Sequence, residues 1–247
     1  MGLFSFLRRK PEEDQETERP VMQPEETAAP VQEQPKEPAP ILQPYKNDAL
    51  NQVYNLLFGD DIELFRYNNA SDGDHPWDVL LQPGADIDAL RKIMTDTGVE
   101  TRIKILAANK LLSAGVQPQP KELLGVIAEV SLDGGLDVLA SFQDGTARYI
   151  NHAGAMIVWE VPDAMSADIT KELFVHAEAV VAKIGPWDKK RLPYPPKGTV
   201  RLTFLVSDGL YFGQAPANTF FNDPMAGPVL NTASQLMVYL MEKAQAK

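Results

Sequence analysis

Three histidines and a run of carboxylates are the residues of this 247-residue chain that could do chemistry by themselves. Asp60, Asp61, Glu63, Asp72, Asp74 and Asp78 fall close together, with His75 among them. Calcium and magnesium bind several oxygen ligands from a flexible turn, so these are the ions such a stretch would suit. The spacing lacks the alternating Asp/Asn, central Gly and distal Glu of a calcium loop, and a solvated turn accounts for it. No metal site is assigned. His152 together with Ser207 and Asp208 holds the residue types of a base and a nucleophile. Yet Ser207-Asp208-Gly209 is also what a tight hairpin turn needs for its backbone alone. His176 lies at the edge of an apolar helical stripe, where histidine serves as a hydrogen-bonded boundary residue. No GxGxxG, GxxxxGK[ST], HExxH or GxSxG occurs. No catalytic set and no cofactor follow from these residues.

Binding chemistry is better represented. The segment GPWDKKRLPYPPKG (185–198) concentrates Lys189, Lys190, Arg191 and Lys197, and Arg201 follows shortly after. Trp187 and Tyr194 stand among these cations, and Pro193, Pro195 and Pro196 hold the backbone extended. This basic and aromatic loop, with Trp187, Lys189, Lys190, Arg191, Tyr194, Lys197 and Arg201 as its contact residues, suits an acidic partner or a phosphate-bearing ligand. A solvated crossover loop whose aromatics cover a sheet edge is the plainer reading of the same residues.

Charge and composition remove other classes. The chain carries a net charge of −11 and no cysteine. An acidic protein does not bind nucleic acid through general phosphate neutralisation. Without cysteine there are no disulfides, thiolate zinc sites or cysteine nucleophiles. No apolar run approaches the roughly 20 residues that span a bilayer, so a cytoplasmic protein is expected. Residues 1–10, MGLFSFLRRK, form a short amphipathic piece in which Leu3, Phe4, Phe6 and Leu7 could enter a membrane surface. Arg8, Arg9 and Lys10 would then face anionic lipid. Residues 11–44 carry nine acids against Arg19 and Lys36 and eight of the chain's 20 prolines, the composition of a disordered linker.

The elements that would position these residues follow from periodicity. Leu123 to Val161 reads as a four-strand meander, with turns at Asp133-Gly134-Gly135, Asp144-Gly145 and His152-Ala153-Gly154. Its fourth strand is apolar on both parities, through Ile157 and Trp159 and through Met156 and Val158, which predicts a strand inside the sheet. Thr199 to Gln214 reads as a later hairpin. Asn47 or Asp48 caps a helix through Phe58, and Asp86 caps another, which pairs with a helix over 99–113 as an N-terminal helical hairpin. Ser166 caps a helix reaching Ile184, and a last helix runs from Pro228 to about Ala244. The expected fold is α+β: a mostly antiparallel sheet of about six strands with helices packed on one face. Residues 45–247 make a single domain, helical over 45–118 and sheet-bearing over 119–247.

The function these readings support is a non-enzymatic interaction or adaptor domain on a disordered tether, binding a protein partner and touching the membrane through its N-terminus. Two alternatives stay open. One is a hydrolase or phosphate-ligand enzyme with its site near the 187–201 loop. The other is a structural or assembly subunit that associates through an open sheet edge.

Overall fold

Asp-Gly and Gly-Gly pairs between apolar runs fold the middle of the chain back on itself three times, and a later hairpin completes the sheet. The computed structural model describes residues 41–66, 74–84 and 86–245. In chain order its elements are α1 (Asp48–Leu56), α2 (Glu63–Arg66), α3 (Trp77–Leu80), α4 (Ile87–Thr95), α5 (Thr101–Ser113), β1 (Leu123–Leu132), β2 (Gly135–Phe142), β3 (Ala147–Ile150), β4 (Met156–Trp159), α6 (Ala164–Val181), β5 (Thr199–Val206), β6 (Gly209–Pro216), α7 (Ala217–Phe221) and α8 (Ala226–Gln245). All strand pairs are antiparallel, in the order β4-β3-β2-β1-β5-β6. The meander and the later hairpin therefore match the turn chemistry. Gly145 and Gly154 sit at φ of +83° and +87°, conformations in which a side chain would be strained.

Helices cover both faces of this sheet, where the sequence suggested one. The reason lies in the central strands, which are apolar on both parities. On one face Val126, Ala128, Val200, Leu202 and Phe204 pack against Leu173 and Ala177 of α6 and Val229, Ala233 and Leu236 of α8. On the other, Leu124, Ile127, Val138, Ala140 and Phe142 meet Tyr54, Leu57, Phe58 and Ile105 from the N-terminal helices. A satellite cluster of Phe65, Leu80, Leu90, Ile93, Leu106 and Leu111 ties α2 to α5 together. Each fully buried leucine of these clusters contributes about 2 kcal/mol relative to exposure.

Three sequence expectations need correction. The fourth strand of the meander, β4, is an edge strand rather than an interior one. Ile157 and Trp159 pack against the layer formed by α6 and α8, whereas Met156 and Val158 face outward. The helix expected to be capped by Ser166 starts earlier. Asp163 is the cap and accepts from Ser166 N at 2.9 Å, while Asp163 N donates to Ser166 Oγ at 3.0 Å. Ser166 is thus the third helical residue of a capping box. The last helix likewise begins at Ala226, because Asp223 Oδ1 accepts from Met225 N and Ala226 N. Leu42, just before Tyr45, exchanges two hydrogen bonds with the Asn55 side chain.

Helix α5 is capped from a distance. Its own N-cap, Glu100, makes no side-chain capping bond. Asp144 of the β2–β3 turn supplies one instead, accepting from Thr101 N at 2.8 Å, and Asp144 N donates to Thr101 Oγ1 at 3.1 Å. Burial pushes the Asp144 carboxyl up, but hydrogen bonds from Thr101 and Thr146 more than reverse this and hold it below the ordinary aspartate range. The folded state therefore releases this proton more readily than the unfolded chain. The stabilisation is complete above the unfolded aspartate value of about 3.9 and is lost as pH falls through the depressed folded value. Asp144→Ala should cost about 1–2 kcal/mol at neutral pH. In urea unfolding the difference between the two proteins should shrink on acidification below about pH 4. An undiminished difference there would remove the carboxylate as the cause.

Candidate interaction surfaces

The basic loop separates into cations that turn inward and cations that stay in water. Arg201 lies on β5 and is only 4 % exposed. Its Nε and Nη2 donate to Gln214 Oε1 at 3.0 and 2.6 Å, and its Nη1 donates to Pro193 O at 2.7 Å. Arg191 lays its guanidinium 3.8 Å from the centroid of the Phe58 ring and donates through Nε to Asp60 Oδ2 at 2.7 Å. Its Nη2 donates to Asn55 Oδ1 at 3.2 Å. These two arginines attach the loop to the domain, and Arg201 is not available at the surface. Trp187 covers the β6 edge: its backbone N–H donates to Leu210 O at 2.7 Å and its ring meets Phe212 edge-on at 5.1 Å. Lys189 stands 5.5 Å from the Trp187 ring, and Lys197 pairs with Asp133 at 2.9 Å. Lys189, Lys190, Tyr194 and Lys197 are exposed.

Beneath this loop lies a charge that the sequence reading passed over. Glu129, in the middle of β1, is fully buried. It is paired with Arg201 across the β1–β5 ladder, with 3.8 Å between Glu129 Oε2 and Arg201 Nη1. Tyr54 of α1 donates its hydroxyl to Glu129 Oε1 at 2.7 Å. The signal was present in LLGVIAEVSL, where one carboxylate stands in an otherwise apolar strand. Such a residue is either paired or strongly perturbed.

The histidine combination does not assemble. His152 sits against the β1–β2 turn, where its Nδ1 and backbone N lie 2.8 and 2.6 Å from Asp137 Oδ1. Ser207 is at the opposite end of β1, where its Oγ accepts from Glu122 N at 2.9 Å. The sheet itself keeps them apart. Of the acidic stretch, Asp60 is engaged by Arg191, and Asp72 lies outside the described residues. Among the described residues no group of three His, Asp or Glu is placed to hold a metal ion. No described helix is long and apolar enough to cross a membrane. Leu3, Phe4, Phe6, Leu7, Arg8, Arg9 and Lys10 lie outside the described residues, as does most of the 11–44 segment.

One group of exposed apolar side chains lies away from this loop, at the outer edge formed by β4 and the turn leading into α6. Met156 is 40 % exposed, Val158 47 % and Val161 80 %, and Met165 is also exposed. Backbone parity adds a second property. Asn151 N donates to Ala155 O at 2.9 Å, so this is a hydrogen-bonded pair of the β3–β4 ladder. Bonded and non-bonded pairs alternate, which makes Tyr149–Ile157 a bonded pair, whereas Arg148–Val158 and Ile150–Met156 are not. The N–H and C=O groups of Met156 and Val158 therefore point away from β3, along the open edge. Beyond Pro162 an open groove of about 360 Å³ continues past the β2–β3 turn, lined in part by Ala167, Lys171, Phe174 and Val175.

Comparison with family models, with curated proteins and with solved structures returns no match for this chain.

Proposed function

We propose that this chain is a cytoplasmic protein-interaction domain that receives an extended partner strand along β4. The observation that carries the reading is the coincidence at Met156 and Val158. Both side chains are exposed and apolar, and both residues direct their main-chain hydrogen-bonding groups outward. Strand addition uses the main chain for affinity and alternate side chains for selection, and an edge of this kind offers both. The basic loop lies at the opposite edge of the sheet, where its arginines are taken up inside the domain and its tryptophan covers β6, so β4 is the edge left for a partner strand.

The test is selection of extended peptides from a displayed library on the intact protein. Enriched peptides should alternate apolar residues and should lose at least about tenfold in affinity, or roughly 1.4 kcal/mol, on Val158→Lys. Val158 is half exposed, so a lysine side chain there can extend into water. Failure to enrich any peptide, or equal binding to the lysine variant, would remove β4 as the site.

A further inference from the structure

The chain treats its two sheet edges differently. At β6 the segment around Trp187 occupies the edge, bonding to Leu210 O. At β4, among the described residues, no backbone hydrogen bond arrives from outside the β3–β4 pair at Met156 or Val158. Open edges are normally blunted by lysine, proline or a bulge, and Met156-Ile157-Val158-Trp159 has none of these.

Resting on the reading of β4 as the binding edge, we propose that its partner is a second copy of the same chain. The two β4 strands would pair antiparallel about a two-fold axis at Ile157. The argument is self-complementarity. The two residues that offer outward N–H and C=O groups, Met156 and Val158, lie symmetrically about Ile157. In the symmetric register Met156 of one protomer bonds with Val158 of the other, and the reverse, giving four main-chain hydrogen bonds. On one face the side chains form two Met–Val cross-strand pairs. On the other, Ile157 meets its own copy. Trp159 falls opposite Ala155, and the first charged residue, Glu160, falls opposite Gly154, so no like charges are brought together. Two six-stranded sheets become one of twelve strands. A contact centred on four-residue strands buries less than a standard interface, so the dissociation constant falls between roughly 1 µM and 1 mM.

The absence of cysteine makes the axis directly testable. Ile157 and its copy form a non-hydrogen-bonded pair with Cα atoms about 4.5 Å apart, inside the roughly 4.4–6.8 Å that a disulfide spans. Under oxidised glutathione, Ile157→Cys should give a covalent dimer, whereas Val175→Cys on α6 should not. Sedimentation of the unmodified chain should show mass rising from monomer toward dimer with concentration. Val158→Lys and Met156→Lys should each hold it at monomer. The inference is overturned by a monomer at every concentration, by cross-linking no faster at residue 157 than at residue 175, or by a dimer indifferent to both lysines. A monomer that still selects extended peptides through β4 would overturn the second-copy inference alone. A monomer that selects none would overturn the interaction reading with it.

Discussion

Replacing Arg201 by alanine should weaken the domain by about 3–5 kcal/mol at neutral pH, the loss expected when one partner of a buried charge pair is removed. For a chain of this size that lowers the melting temperature by roughly 6–20 °C. Glu129 is then left without its nearest cation, in a site fully closed to water. Tyr54 still donates to Oε1, but among the described residues Oε2 accepts no hydrogen bond. Burial pushes the Glu129 carboxyl up, and Arg201, the Tyr54 hydroxyl and Arg191 pull it only partly back, so it titrates above the ordinary glutamate value. A raised carboxyl keeps its proton in the fold at a pH where the unfolded chain has released it. The stability drawn from this group is therefore greatest at acid pH and declines as pH rises through the folded value. Without Arg201 the carboxyl rises further, so the deficit of Arg201→Ala relative to the parent should be smaller at pH 5 than at pH 7. A double replacement, Arg201→Met with Glu129→Gln, should recover most of the loss, because neither charge then remains buried alone. A deficit below about 1 kcal/mol for Arg201→Ala, with no pH dependence, would mean that the pair is not coupled as the geometry implies.

The second large effect belongs to Arg191. Its guanidinium combines a close stack on Phe58, an ion pair with Asp60 and a hydrogen bond to Asn55, whose side chain also accepts from Leu42 N. One residue thus joins the crossover loop, α1 and the segment at Leu42 that leads into it. Arg191→Ala should cost about 2–4 kcal/mol through lost cation–π contact and charge-assisted bonds. Arg191→Lys should recover less than half of this, since an ammonium cannot stack flat and bond to two partners in a fork. Urea midpoints for the two variants settle the matter, and equal stability of the lysine variant and the parent would reduce Arg191 to a point charge.

Local chemistry made much of the fold legible. Asp-Gly and Gly-Gly pairs placed the hairpins, and Asp86 placed one helix start and the pair Asn47-Asp48 another to within a residue, because turns and caps are decided by neighbouring residues. What depends on distant residues did not show. Asp144 caps a helix 43 positions earlier in the chain, and nothing in TDTGVETRIK announces that partner. β4 reads as interior because both parities are apolar, yet only Ile157 and Trp159 find a layer to pack on. The arginines of the basic loop could not be sorted by spacing. Arg201 shares a strand parity with Thr203, and that face is polar in sequence but roofed by the N-terminal helices in the fold. The exposed edge was thus hidden by its own hydrophobicity, and the buried charges by their polarity.

Residue-resolved amide exchange across β4, recorded from about 1 µM to about 1 mM protein, tests the central claim most directly. At low concentration the Ile157 amide should be protected by its bond to β3, while those of Met156 and Val158 exchange freely. At high concentration the Met156 and Val158 amides should become protected as well. If those two amides are protected already at the lowest concentration, or remain unprotected at the highest while the chain associates, then β4 is not the edge on which a partner strand is added.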